Sequence, residues 1–128
     1  MRLGAERVSE QLKNLTRFVY LFGRISNGVE ASEQLQKQAN LGNSQVPQLE
    51  KMKSGLRDGV RNVRAGLIDL EAYFEKTPAV RRFYPQVAGV ADGAAVAEQL
   101  ATAGQYDQAG RSLLGVAVKL ADALIGMH

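Results

Sequence analysis

The 128-residue chain contains no cysteine, and this one absence removes several chemistries together. No disulfide can brace the fold, no thiolate can attack a substrate, and no Cys-ligated zinc or iron–sulfur centre can form. Histidine occurs once, as His128. Hydrolytic triads need a positioned imidazole or an equivalent base, di-iron bundles need Glu-x-x-His pairs on facing helices, and c-type haem needs Cys-x-x-Cys-His. None of these sets can be assembled from this composition, and a histidine phosphotransfer bundle, which needs an exposed mid-helix histidine, is excluded with them.

Phosphate-loop chemistry is missing too. There is no G-x-x-x-x-G-K-[ST], and the glycine-containing run "AGVADGAAVA" has no strand before it. Asp69, Glu71 and Glu75 are spread round a helix and read as an exposed acidic patch, not as an acid–base pair. The expectation is a protein without catalytic residues, metal or cofactor. Aromatic residues are few, and Phe18, Tyr20, Phe22, Tyr73, Phe74, Phe83, Tyr84 and Tyr106 are not interleaved with the basic residues, which argues against a base-stacking surface for single-stranded nucleic acid.

Long apolar runs are also lacking. The longest, "LLGVAVKLADALIGM", carries Lys119 and Asp122 and falls short of the ~20 residues of a membrane span. The start, "MRLGAERVSEQ", is polar and shows no secretory signal. A soluble, cytoplasmic protein is expected. No β-branched alternation runs between turn residues, so strands are not expected.

What is present is helical periodicity. Apolar side chains at Val8, Leu12, Leu15, Val19, Phe22, Ile25 and Val29, then Leu35, predict a helix over 5–39, with Gly23 and the Asn27-Gly28 pair as points where it could kink. "NLGNSQVPQ" reads as an interhelical loop. Leu49, Met52, Leu56, Val60, Val63, Leu67, Leu70 and Phe74 predict a second helix over 47–76, antiparallel to the first. In 77–86, Thr77 as N-cap, Pro78 and Pro85 suggest one or two short helical turns. Helices follow over 87–103 and 106–125, the last with Tyr106, Ala109, Leu113, Val116, Leu120 and Leu124 on one side and Gly104 at the turn before it. With 45% hydrophobic and 23% charged residues, the expectation is one all-α domain, 1–128. Its architecture is an antiparallel four-helix bundle built from a long hairpin (5–76), a linker (77–86) and a short hairpin (87–125).

Two features of 53–67 stand out. Gly55, Gly59 and Gly66 fall on one side of the second helix, where each costs roughly 1 kcal/mol relative to alanine unless close packing returns it. Antiparallel pairing about residue 43 sets Phe22 opposite Val63 to Gly66. Lys53, Arg57, Arg61 and Arg64 form a basic stripe with few acidic neighbours, Asp58 for Arg61 and Glu50 for Lys53. The stripe accounts for most of the +3 formal charge, since residues 77–128 hold four Lys/Arg against four Asp/Glu.

The run "AAVAEQLATAGQYDQAGRSLLGVAVKLADAL", 94–124, carries Gly104, Tyr106 and Ala109 at the start of its second helix and in this resembles one tetratricopeptide-type hairpin. It covers about a quarter of the chain, lacks the repeat's first-helix aromatic signature and closing proline, and has no second copy at a 34-residue period. The resemblance implies peptide or protein binding.

The unequal hairpins lead to the same expectation. The long hairpin should overhang the short one and expose Leu35, Leu41, Val46, Leu49 and Met52 at an interaction tip, favouring a scaffold or protein-interaction module that forms a homodimer. The alternative partner is nucleic acid or an acidic membrane surface, met by the anionic-partner residues Lys53, Arg57, Arg61 and Arg64.

Overall fold

The computed structural model describes residues 2–39 and 46–127, with side chains described for 3–28 and 50–127. Among the described residues every regular element is a helix. α1 (Arg2–Ala39) and α2 (Val46–Lys76) form the long hairpin. A 3-10 turn (Arg81–Phe83) leads into the short α3 (Tyr84–Val87), and α4 (Val90–Thr102) and α5 (Tyr106–Gly126) form the short hairpin. α1 packs on α2 and α5, and α4 packs on α2 and α5. The four long helices thus close a ring of antiparallel chain neighbours, an all-α bundle of a long and a short hairpin.

The packing repeats every seven residues. Val8, Leu15 and Phe22 on α1, Val60, Leu67 and Phe74 on α2, Ala94 and Ala101 on α4, and Tyr106, Leu113 and Leu120 on α5 are all buried. A seven-residue apolar step keeps each seam facing its partner along the whole contact. The same step sets the register of the long hairpin. Gln11 lies over Gly66, Phe18 over Gly59, and Ile25 shares a groove with Met52, so seven residues forward on α1 match seven residues back on α2. The expected pairing of Phe22 with Val63 to Gly66 is therefore displaced. The ring that meets a glycine of α2 is Phe18, while Phe22 packs edge-on to Tyr106 at 6.4 Å and beside Gly110 of α5. Counting from the loop centre misplaced it because seam contacts, not loop length, fix the register.

α1 is unbroken at Gly23 and at Asn27-Gly28. Seam packing on both sides outweighs the ~1 kcal/mol cost of a helical glycine. Ser26, buried beside this point, satisfies its hydroxyl within the helix by donating to the Gly23 carbonyl at 3.1 Å. Between α3 and α4 the chain does break, where a continuous helix from 87 was expected. Gly89 has φ of 95°, and its N–H donates to the Glu71 carboxylate at 2.5 Å. The Lys119 ammonium donates to the adjacent Ala88 carbonyl. Thr77 does not cap a helix: its N–H continues α2 by bonding Tyr73, and its carbonyl accepts from Val80 in a turn. Val80, Phe83 and Val87 then bury themselves under the bundle base, where the Val80 side chain packs onto Gly4.

At the opposite end α4 stops in a Schellman turn. Gly104, with φ of 81°, donates to the Ala101 carbonyl, and Gln105 donates back to Leu100. The long hairpin runs on past this turn. Phe22 is level with Tyr106, the first residue of α5, leaving about 17 residues of α1, or ~25 Å, beyond it. Glu98 sits between Arg61 and Arg64, so α4 ends near residue 58 of α2, and the first dozen residues of α2, ~18 Å, also project.

Candidate functional site

The basic stripe is placed on α2, but it is not a free cationic surface. Arg61 and Arg64 both reach across to α4, where the Glu98 carboxylate accepts from Arg61 Nε at 3.4 Å and from Arg64 Nη1 at 3.1 Å. Glu98 is mostly shielded, at 17% side-chain exposure, so its pairing with Arg64 is the strongest of these contacts. The two expected local pairs are also present, Arg61 with Asp58 and Lys53 with Glu50, each at 3.9 Å. Arg57 makes no ion pair among the described residues. The stripe thus divides into a clamp that joins α2 to α4 and a smaller basic end around Lys53 and Arg57.

The tip residues divide as well. Met52 is half-buried, packs on the core, and brings its methyl group to Gly28. Leu41, and the side chains of Leu35, Val46 and Leu49, lie outside the described residues. Met52 does form one wall of a groove between α1 and α2, with Ile25, Lys51 and Gly55, enclosing about 450 Å3 at the base of the projecting hairpin. Among the described residues no atom comes near the position a Cβ of Gly55 would take, whereas Gly59 and Gly66 receive Phe18 and Gln11. A ring thus packs close only at Gly59; at Gly66 the neighbour is the amide end of the Gln11 side chain. A second cleft, about 280 Å3, opens between α1 and the first turns of α5. Among its polar residues Asp107 pairs with Arg111 at 3.1 Å, and Ser26 bonds its own helix.

The acidic patch expected at Asp69, Glu71 and Glu75 is incomplete. Asp69 and Glu75 are exposed, but Glu71 is half-buried and holds the α3–α4 joint. Among the described residues no group of His, Cys, Asp and Glu could hold a metal ion, and no buried side-chain polar atom lacks a partner. Among those residues, too, no helix is long and apolar enough to cross a membrane.

Two features escaped the sequence reading. Glu98 was not linked to the stripe, because a cross-helix contact 34 residues away in sequence has no local signature. The outward side of α5 was passed over, although Leu114, Val118 and Ile125 recur there at helical spacing and all are exposed. That signal was readable as a second apolar seam beside the buried one. Against protein-family models, curated proteins and solved structures, the chain finds no match.

Proposed function

We propose that the chain is a non-enzymatic helical interaction module that presents the projecting end of its long hairpin to another protein. The observation that carries this reading is the overhang, in which α1 and α2 continue beyond the last turn of α4 and the first of α5. Past that level, among the described residues, the two helices pack on each other. The column that buries Phe74, Leu67 and Val60 reaches Lys53 on α2, while Leu56 stays buried and Met52 packs on the core just past the level of the last turn of α4. A partner helix in the groove of Ile25, Met52 and Gly55 would cover apolar surface there, with Lys51 at its margin.

The anion-binding alternative retains Lys53 and Arg57, but Glu98 engages the guanidinium groups of Arg61 and Arg64. The interaction reading is therefore preferred. Immobilised wild-type chain is compared with an I25E/M52E variant of unchanged helicity for proteins retained from a cell extract. Bands held by the first and absent from the second support the reading. An identical set on both would overturn it.

A further inference from the structure

Resting on the reading of the chain as an interaction module, we propose that a second copy of the chain packs antiparallel against the outward face of α5. The inner face of this helix buries Tyr106, Leu113 and Leu120 in the bundle. Its outer face carries Leu114, Val118 and Ile125, which are 52%, 61% and 72% exposed. These three lie within about 40° of one another around the helix, so they make one stripe instead of scattered surface residues. Spaced four and seven apart, they follow coiled-coil spacing over the C-terminal half of α5, and the Asp107–Arg111 ion pair carries the same side towards its start.

The charges on that stripe select a copy of the same chain as the occupant. Arg111 and Asp122 are both exposed and flank the apolar residues on the same edge. Arg111 has Asp107 one turn before it, whereas Asp122 makes no ion pair among the described residues. Turned about a twofold axis level with residue 116, α5 sets Leu114 against Val118 of the second copy and Arg111 within one residue of Asp122 of the second copy. The contact occurs twice by symmetry, which is the self-complementarity an isologous interface requires. Each unpaired carboxylate gains a guanidinium, and each leucine gains a valine.

Light scattering over a dilution series tests the contact. The expected mass moves between 13.9 kDa and twice that value as concentration rises. L114E/V118E, with helicity retained, holds the lower mass throughout. R111D and D122R each weaken the dimer about tenfold, and R111D/D122R recovers most of that loss, since exchanging the charges preserves the pair. This rescue also keeps the test decisive if L114E/V118E does not fold. A monomer at every concentration, a dimer indifferent to L114E/V118E, or a double reversal no better than its singles would overturn the proposal. I25E/M52E separates the two ideas, because an α5 contact keeps its dimer in that variant. A dimer lost only with I25E/M52E overturns the α5 contact and leaves the hairpin reading standing.

Discussion

Gly55 and Gly59 lie one turn apart on α2 and make opposite demands on a methyl group. A Cβ at Gly59 would come within 2.6 Å of the Phe18 ring, a contact that forces the ring or the helix to move. At Gly55 no atom of the described residues lies within 4 Å. Alanine recovers roughly 1 kcal/mol of helix propensity at either site, and overpacking costs about 1–3 kcal/mol where the neighbour is a ring. G55A is therefore expected to raise the midpoint of thermal unfolding and G59A to lower it, each by a few degrees. Circular dichroism melts of the two variants check the signs, and equal shifts would contradict the packing described for Phe18. The sequence alone placed both glycines on the same side of the helix. It could not separate them, because the difference depends on which α1 residue reaches each level.

Between elements, the contact with most at stake is the clamp of Glu98 on Arg61 and Arg64, which ties the short hairpin to the long one. E98A removes one carboxylate and leaves two guanidinium groups 66% and 43% exposed, so water solvates much of what is lost. The expected cost is about 1 kcal/mol, read as a lower urea midpoint, and the gap to wild type narrows as salt is raised. A salt-independent loss would point to packing. Element boundaries were legible wherever the apolar seam was strong: α1, α2 and α5 were expected within three residues of their observed ends. The break at Gly89 was not, because the alanine-rich run reads as helix on both sides, and only the positive φ and the Glu71 carboxylate mark the joint.

At the scale of the whole molecule, the bundle and its unequal hairpins were readable from periodicity, and the surface was less so. The basic stripe appeared free because its counter-charge lies on another helix. Duplex DNA is accordingly expected to show no retardation at about 50 mM salt. Binding with a slope near −0.9 log units per neutralised phosphate would return the stripe to first place. The tip was anticipated from helix lengths; α1 and α2 do run on past the short hairpin, Met52 tucks inward to the core, and the other expected tip side chains lie outside the described residues.

The seven-residue register of the long hairpin, running from Gln11 and Gly66 to Ile25 and Met52, graduates it like a ruler. Excising 25–31 together with 46–52 removes one graduation from each arm, so the residues above and below meet in the same phase as before. The hairpin shortens by ~10 Å while the lower bundle keeps every contact of Val8, Leu15, Val60 and Leu67. Removing four residues from each arm instead turns the tip by about 40° relative to the base and takes the seams out of phase. Melting temperatures near wild type for the first deletion and well below it for the second are the expected outcome. Lineages of such a chain could then vary the reach of the hairpin in steps of seven without redesigning the bundle that carries it.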